Sequence, residues 1–395
     1  MLRQFDLLTP EARRDPYPIY AEMRRSAPVC RIEPGGLWAV SRYDDVATVL
    51  SKSAVFSSAG LREAIQPAWL GHNPVAGSLA LMDPPIHTKV RTLVNKAFSS
   101  RVLPRVEPLI RAAARRFADR VSAGQPVEVH EHFSSELPGV AIAELLGLEP
   151  SLRRLFFSWS EALSGIHPAT PPEDQARIRA IIVDIETYLR GVLADRRRAR
   201  RNDLVSDLLD AEVDGDQLGE AELISFLAII LQGGHHTTAS LLSSSLRFLA
   251  GEPELLAHLR AEPAATPAFV EEMLRFDSPL QGSLRLVVSD TEIAGVSLPA
   301  GAIVLALIGS ANRDDRRIVD PDCFDLDRRR SAHLTFGHGA HFCIGAALAR
   351  AQGRFGLEEL LPRVRGLRVH ERGAAWGTSL FSRSHTHLWM EIDPV

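Results

Sequence analysis

The sequence predicts a mainly helical fold with a smaller β portion, an α+β architecture in which helices dominate. Apolar residues recur at helical spacing through six long segments, whereas β-branched and aromatic residues cluster in six short segments between Gly and Pro breaks. No linker-like or low-complexity tract divides the 395 residues. We therefore expect one domain that spans 1–395.

The helical segments are rich in Ala, Leu, Arg and Glu and are predicted at 101–122, 133–146, 174–200, 217–250, 253–276 and 345–361. The strands are predicted at 29–33, 37–41, 284–288, 302–308, 367–371 and 386–392. At 1.5 Å per residue the segment 217–250 would extend roughly 50 Å, which makes it the candidate central helix.

Composition and charge exclude several classes of protein. Hydrophobic residues at 45% and charged residues at 24% are typical of a globular protein with a large core. The formal net charge of -4 argues against a nucleic-acid partner. Three cysteines are too few for a disulfide framework. The first twenty residues lack the apolar stretch of a signal peptide or membrane anchor, so we expect a cytoplasmic protein with no membrane association.

The segment FGHGAHFCIG at 336–345 is the most informative part of the chain. Gly337 and Gly339 permit backbone angles that other residues resist, so this segment can bend tightly. Cys343 then precedes a helix that begins near Gly345, where unpaired N–H groups and the helix dipole favour a thiolate. The alternative is an ordinary buried cysteine.

A second set of residues lies in the candidate central helix, in LQGGHHTTAS at 231–240. Steps of 100° place seven residues on one face: Phe226, Ile229, Ile230, Gly233, His236, Thr237 and Ser240. His235 points the other way. Gly233 leaves room for a small ligand, and the Thr237 hydroxyl beside it suits a bond to dioxygen. Alternatively, Thr237 bonds back to the Gly233 carbonyl.

The cysteine segment resembles the signature F-G-x-G-x-H-x-C-x-G of the cytochrome P-450 family of haem-thiolate monooxygenases. Its six fixed positions are filled by Phe336, Gly337, Gly339, His341, Cys343 and Gly345. The order of motifs extends this resemblance over essentially the whole chain. It implies a triangular, mostly helical prism with a long oxygen-binding helix, and haem b whose axial ligand is the Cys343 thiolate.

The resemblance also assigns catalytic roles in the central helix. The segment 233–238 is similar to the family motif A-G-x-[D/E]-T-T, which implies that Gly233 and Thr237 lie at the oxygen site. His236 departs from the motif because the family has a carboxylate there that helps to relay protons. Imidazole can relay protons near neutral pH, so we predict a compensating role for His236. In the alternative interpretation, His236 bonds within the helix and water carries the protons.

Further family positions concern the haem propionates and the fold. His87 and Arg91 match an H-x-x-x-R motif, and Arg285 and His341 match two other propionate ligands, so the resemblance implies that these four residues hold the carboxylates. Phe336, Gly337 and Gly345 are likewise implied to contact the cofactor. Glu272 and Arg275 match E-x-x-R, a structural pair that would lock its helix to the downstream turns between Gly309 and Arg328.

The activity implied is insertion of one oxygen atom from O2 into a C–H or C=C bond of a mostly apolar small molecule. A hydroxylase or epoxidase that tailors natural products in a bacterium fits this type. Candidate substrate contacts are Phe226, Ile229, Ile230, Leu280 and Phe381. Two alternatives stay open. One is a haem-thiolate enzyme with an atypical outcome owing to His236, such as peroxide-driven oxidation, coupling, rearrangement or dehydration. The other is a haem-bearing binding or sensor protein.

The expected electron donors are a ferredoxin and a ferredoxin reductase, or an equivalent donor, that use NAD(P)H, and we expect a monomer. We expect the arginines at 196–201 to complement the negative end of a helix dipole and to stay solvated; the alternative is a docking patch for the electron donor. Lys89, Arg101 and Arg105 are the candidate docking residues on the cysteine side.

Overall fold

The structure is a computed structural model that describes residues 5–33, 36–98, 101–122, 126–149, 152–166, 170–328 and 332–395. The chain divides into two compact units. Unit 1 comprises Met1–Ser57, Arg111–Leu137 and Thr237–Val395, and unit 2 comprises Ser58–Ile110 and Pro138–His236. Helices make up 55% of the structure and the sheets are smaller, which confirms the predicted fold class.

The described residues form fourteen α-helices: α1 (Pro10–Arg14), α2 (Tyr17–Ser26), α3 (Tyr43–Ser51), α4 (Ile86–Ala97), α5 (Val102–Val121), α6 (Glu136–Leu146), α7 (Arg153–Ser164), α8 (Pro172–Arg198), α9 (Leu204–Leu209), α10 (Glu220–Leu249), α11 (Pro253–Ala261), α12 (Thr266–Phe276), α13 (Ile308–Ala311) and α14 (Ala346–Leu360). Short 3-10 segments supplement them, and a π-helical turn at His130–Ser134 precedes α6.

The same described ranges contain thirteen strands: β1 (Phe5–Asp6), β2 (Val29–Glu33), β3 (Leu37–Val40), β4 (Phe56–Ser57), β5 (Val127–Glu128), β6 (Glu212–Val213), β7 (Asp216–Gln217), β8 (Ser283–Val287), β9 (Thr291–Ile293), β10 (Val296–Leu298), β11 (Ile303–Ala306), β12 (Val364–Trp376) and β13 (His385–Pro394). In unit 1 the main sheet has the order β1-β2-β3-β11-β8-β4, and β12-β13-β5 form a second sheet. The pairs β9-β10 in unit 1 and β6-β7 in unit 2 are short hairpins.

Two predicted helices need correction. The segment 253–276 is two helices, because α11 ends at Ala261 and α12 begins at Thr266. Pro263 causes the break, since it forces the preceding Glu262 out of the helical region, to φ -124 and ψ 73. The central helix begins at Glu220 rather than 217, because residues 212–217 form a hairpin whose turn residues Asp214 and Gly215 have positive φ.

The other predicted elements are present, with shifts of a few residues at their ends. The helix predicted at 133–146 becomes α-helical only at Glu136. Seven helices were not predicted as elements: α1, α2, α3, α4, α7, α9 and α13. Helix α10 is 30 residues long, about 45 Å at 1.5 Å per residue. Among the described residues, every helix is too short or too polar to cross a lipid bilayer.

Candidate active site

The loop that carries Cys343 is tightly bent and lies at the start of α14. Gly337 and Gly339 have φ of 76° and 71°, in the left-handed region that favours glycine. A Cβ on Gly339 would lie 3.1 Å from Cα of Ser51, so α3 also requires a glycine there. The backbone N–H of Cys343 donates to the Phe336 carbonyl at 2.8 Å, which closes the loop. The Cys343 side chain is exposed and forms no disulfide.

Helix α14 packs closely against α10 and α12 within unit 1. A Cβ on Gly353 would lie 2.9 Å from Leu241 of α10 and 3.2 Å from Val270 of α12. A Cβ on Gly356 would lie 2.9 Å from Leu242. These contacts tie the helix that follows Cys343 to the part of α10 that begins at Thr237.

A second link joins α12 to the Cys343 loop through Glu271 and Arg350. The Arg350 guanidinium donates from Nε and Nη2 to the two carboxylate oxygens of Glu271, at 2.7 and 2.8 Å. His333 Nε2 lies 3.0 Å from Glu271 Oε1, and the Arg350 guanidinium carbon lies 4.4 Å from the centre of the Phe336 ring. Burial raises the pKa of Glu271, but the hydrogen bonds from Arg350 and His333 outweigh it and lower the pKa to about 2. Neither Glu271 nor Arg350 was a predicted site residue.

Replacing Glu271 with glutamine is expected to lower the thermal stability of the protein, by about 1 kcal/mol once solvent screening of this half-exposed pair is allowed for. The depressed pKa means that the Glu271 contribution is present above its ordinary pKa of about 4.3 and is lost as pH falls toward 2. Thermal melting at pH 7 and pH 3 measures this. The matched control is Glu254→Gln, an exposed carboxylate on α11. Equal melting of Glu271→Gln and the wild type at pH 7 would contradict the assignment.

The predicted pair Glu272 and Arg275 is buried, with side chains 3% and 0% exposed. Arg275 donates to Glu272 from Nε at 2.9 Å and from Nη2 at 2.6 Å. Its remaining N–H groups reach the carbonyls of the downstream turns, those of Asn312, Pro321 and Cys323. Arg328, which was not predicted as a site residue, donates to Glu272 Oε1 at 3.0 Å.

Two of the predicted propionate ligands lie in unit 1. Arg285 is buried in β8, and its Nη1 donates to the Ser283 hydroxyl at 2.9 Å and to the Leu284 carbonyl at 2.7 Å. His341 is half-buried and ends the 3-10 turn Gly339–His341 of the Cys343 loop. Arg285 is therefore held by the two residues that precede it in β8, and His341 lies in the same loop as Cys343.

The other two predicted ligands lie on α4 in unit 2. His87 is buried, and burial, followed by the charge of Arg91, lowers the pKa of its imidazole. Arg91 is half-buried and donates from Nε to Asn95 Oδ1 at 3.0 Å. His87 is thus held as a neutral ring, with the permanent cation one turn later on the same face.

The middle of α10 contains the predicted opening. A Cβ added to Gly233 would meet no atom within 4 Å, and Thr237 is half-buried one turn later. His235 is buried in unit 2, within 4.0 Å of the position that a Cβ on Gly139 would take. The opposite placements of Gly233 and His235 agree with the predicted faces of the helix.

His236 is directed at α7. Its ring donates a hydrogen bond to the backbone of Ser160, and Gln232, one turn earlier, donates to the Leu163 carbonyl at 3.0 Å. Burial lowers the pKa of His236, and the hydrogen bond to Ser160 offsets only part of that effect. At neutral pH the ring is therefore uncharged. The two interpretations drawn from the sequence were a proton relay and a hydrogen bond within α10, and neither included a hydrogen bond from His236 to α7.

The predicted substrate contacts fall in two places. In unit 2, Phe226 is buried edge-to-face against Phe98, with ring centres 6.1 Å apart, and Ile229 and Ile230 are half-buried. In unit 1, Leu280 pairs with Ser382 in an isolated β-bridge. Phe381, which precedes Ser382 in the chain, is 40% exposed.

The donor set fits a thiolate-bound haem. The exposed sulfur of Cys343 lies at the start of a 15-residue helix, and the thiolate that this position favours is a soft ligand suited to haem iron. A Cβ on Gly345 would lie 3.9 Å from that sulfur, at ordinary van der Waals distance. Basic and hydrogen-bonding side chains for two carboxylates are present in Arg285 and His341 of the same unit.

Comparison with known proteins agrees with this chemistry. Residues 164–367 match the family model described as Cytochrome P-450. The chain is 37% identical over 362 residues to Cytochrome P-450 107B1 of Saccharopolyspora erythraea, covering 89% of this chain and 88% of that protein. It is 38% identical over 351 residues to the erythromycin C-12 hydroxylase of the same organism, covering 88% and 86%.

Solved structures are similar over the same extent. Cytochrome P-450 CYP109Q5 from Chondromyces apiculatus has a TM-score of 0.92 at 38% identity, and the match covers 100% of both chains. CYP109E1 from Bacillus megaterium, solved in complex with testosterone, has a TM-score of 0.84 at 31% identity, covering 96% of this chain and 99% of that one.

Proposed function

Because the chain belongs to the cytochrome P-450 family of monooxygenases, we propose that it inserts one oxygen atom from O2 into a C–H or C=C bond of a mostly apolar small molecule. The observation that carries the proposal is the exposed sulfur of Cys343 in a closed loop at the start of α14. We also propose that 1–395 acts as one catalytic domain, since the match to CYP109Q5 covers the whole of both chains.

In this proposal, Cys343 is the thiolate ligand of haem b. Phe336, Gly337, Gly345 and Gly233 contact the cofactor, and His87, Arg91, Arg285 and His341 hold its propionates. When bound, haem supplies an iron centre that activates dioxygen with electrons delivered one at a time. The protein orients the reactants, excludes bulk water and delivers protons.

Thr237 and His236 are the proposed proton-delivering residues. Thr237 lies one turn beyond the opening at Gly233, where its hydroxyl is able both to donate and to accept a hydrogen bond. The lowered pKa of His236 keeps its imidazole neutral, with one nitrogen donating to Ser160 and the other able to accept a proton. The contact with α7 holds the ring in one orientation.

Changing His236 to glutamate is expected to alter the pH dependence of coupling, the fraction of consumed NAD(P)H that appears as product. A neutral imidazole accepts a proton and an imidazolium does not, so wild-type coupling should fall as pH drops below the lowered pKa of His236, which lies under the ordinary value of about 6.5. A carboxylate has an ordinary pKa of about 4.3, below that of imidazole, so the glutamate variant should keep the relay working to a lower pH than the wild type. His236→Gln is the control that cannot titrate. Identical coupling in all three proteins between pH 5 and 8 would exclude the imidazole from the relay.

For the substrate, we propose a natural product that the enzyme tailors by hydroxylation or epoxidation. The support is the similarity to the erythromycin C-12 hydroxylase and to a 6-deoxyerythronolide B hydroxylase, 31% identical over 393 residues. Apolar side chains at Phe226, Ile229, Ile230, Leu280 and Phe381 are the proposed contacts. A ferredoxin and its NAD(P)H-dependent reductase are the proposed electron donors, with Lys89, Arg101 and Arg105 as docking candidates.

The experiment is a spectral screen of macrolide and steroid candidates against purified holoprotein, followed by product analysis. We expect at least one candidate to shift the iron spin state and to give a product heavier by one oxygen atom when O2, NAD(P)H and a ferredoxin system are present. Ligands that change the spectrum without any product under these conditions would favour the binding or sensor protein instead.

A second candidate function is an atypical reaction of the same haem-thiolate site, driven by peroxide or ending in coupling, rearrangement or dehydration. The observation that favours it is His236, which occupies the acidic position of the family and is bound to α7. Turnover with hydrogen peroxide that exceeds turnover with O2, NAD(P)H and a ferredoxin system would establish this function. The reverse ratio would exclude peroxide as the physiological oxidant.

A further inference from the structure

Unit 1 contains a crevice of about 900 Å³ that none of the proposed haem or substrate residues lines. It lies among the C-terminal ends of α10 and α12, the start of α2 and strand β12. Its principal wall residues are Tyr17, Arg247, Phe276, Asp277, Trp376 and Arg383. Small-molecule sites in proteins occupy about 300–1,000 Å³, so the crevice has room for an organic ligand.

One cation of the crevice, Arg383, is fully engaged by the protein. Its Nε donates to Asp277 Oδ1 at 2.7 Å, and its two terminal nitrogens donate to the carbonyls of Arg13 and Arg14 at 2.8 Å each. Tyr17 donates its hydroxyl to the same Asp277 oxygen at 2.9 Å. Burial raises the pKa of Asp277, but the charge of Arg383, the hydrogen bond from Tyr17, the charge of Arg247 and the hydrogen bond from Arg383 together lower it to about 2. The carboxylate is therefore neutralised by groups other than a ligand.

A second cation, Arg313, is also satisfied. Its Nε and Nη2 donate to the Phe276 carbonyl at 3.0 and 2.7 Å, and its Nη1 pairs with Asp322 at 3.1 Å. Its guanidinium lies between the rings of Tyr17 and Phe276, 3.6 and 3.9 Å from their centres. This side chain therefore forms a rigid part of the wall.

Arg247, in contrast, has no hydrogen-bond acceptor among the residues that the structure describes. Its Nε is buried without a partner, and its guanidinium carbon lies 5.3 Å from the centre of the Trp376 ring. A carboxylate in the crevice would supply the acceptors that the terminal N–H groups of Arg247 lack. The nearby carboxylate of Asp277 is already held by Arg383 and Tyr17.

The rest of the wall is apolar and well supported. The Trp376 ring is packed between His385, with ring centres 3.9 Å apart, and the Arg383 guanidinium, also 3.9 Å from its centre. Phe248 packs against Phe276 with ring centres 5.6 Å apart. Both phenylalanines and Trp376 line the crevice, which gives an apolar body several aromatic edges to contact.

We infer that this crevice binds a small organic carboxylate with an apolar ring body, whose carboxylate pairs with Arg247. The guanidinium matches a carboxylate through two parallel N–H donors. The ring body fills the space beside Phe248, Phe276 and Trp376. The competing explanation is that Arg247 serves only as a cation at the negative end of the α10 dipole, which requires no ligand.

The test uses 2-naphthoate as probe and its neutral amide, 2-naphthamide, in calorimetric titrations of the haem-loaded wild-type protein. We expect saturable binding of the carboxylate with no change in the haem absorption spectrum. Both the amide on wild type and the carboxylate on Arg247→Gln should bind about tenfold more weakly or worse, because each lacks one half of the ion pair. Arg247→Lys keeps the charge but loses the paired donors, so its affinity should lie between those of the wild type and Arg247→Gln. Arg177→Gln, an exposed arginine of α8, is the matched control and should bind like wild type.

Three results would overturn the inference. They are no saturable binding to wild type, equal affinity of wild type and Arg247→Gln for 2-naphthoate, or binding that shifts the haem spectrum and so reports the haem pocket. Folding of each variant is checked by thermal melting and by its haem spectrum. These results are independent of whether the proposed monooxygenase activity is found.

Discussion

Changing Glu272 to alanine is expected to abolish the recovery of haem-loaded protein. The pair with Arg275 is buried, and Arg275 also holds three backbone carbonyls of the downstream turns. Removing the carboxylate leaves the Arg275 charge uncompensated and also removes the acceptor of the Arg328 Nε–H group. Losing one partner of a buried pair costs about 3–5 kcal/mol, a large part of the 5–15 kcal/mol that stabilises a typical domain.

The measurement is the yield of soluble protein and the ratio of haem to protein absorbance after purification. Glu254→Ala, an exposed carboxylate on α11, is the matched control and should give the wild-type ratio. Glu272→Gln keeps the shape but not the charge, so we expect a yield between those of the alanine variant and the wild type. Normal amounts of holoprotein from Glu272→Ala would show that the pair does not hold these turns.

The second large effect is expected for Cys343→Ala, which should reduce product formation to the background rate and leave the fold intact. The side chain is exposed, and its backbone N–H still reaches the Phe336 carbonyl in the variant, so little packing is lost. The thiolate itself has no substitute, because alanine offers no ligand for iron.

Cys323→Ala is the matched control, since Cys323 is also exposed and free of any disulfide. Turnover of a confirmed substrate and thermal melting of both variants are the measurements. We expect Cys323→Ala to behave like wild type in both. Substantial turnover by Cys343→Ala would mean that the reaction proceeds without the sulfur ligand.

The features of the site that sequence predicts are local ones. Gly337 and Gly339 predict a tight bend, and Cys343 directly precedes a predicted helix. The spacing of Gly233 and Thr237 places both residues on one face of α10. Each of these depends on backbone angles and helical periodicity within about ten residues. The strands β2 and β12 were found for the same reason, since apolar and β-branched residues mark them directly.

The features that sequence does not predict depend on distant partners. Glu271 and Arg350 are 79 residues apart, and only the packing of α14 on α12 brings them together. His236 shares the predicted stripe with Thr237, but its bond to Ser160 of α7 decides where its ring points. The short helices α1 to α3 were not predicted because helices of this length are stabilised by tertiary burial more than by their own sequence.

The break between α11 and α12 shows a third limit. Apolar residues keep helical spacing on both sides of Pro263, so periodicity alone predicts one continuous helix. The backbone restriction of proline outweighs that pattern and turns Glu262 out of the helix. As a result, Glu271, Glu272 and Arg275 lie on a separate helix, α12, which begins at Thr266.

The most direct test of Cys343 as the iron ligand is the absorption spectrum of the reduced protein under carbon monoxide. Sulfur ligation predicts the strongly red-shifted Soret band that is diagnostic of a haem thiolate, present in the wild type and in Cys323→Ala and lost in Cys343→Ala. A wild-type spectrum without that band, or a Cys343→Ala spectrum that retains it, would contradict the assignment of Cys343.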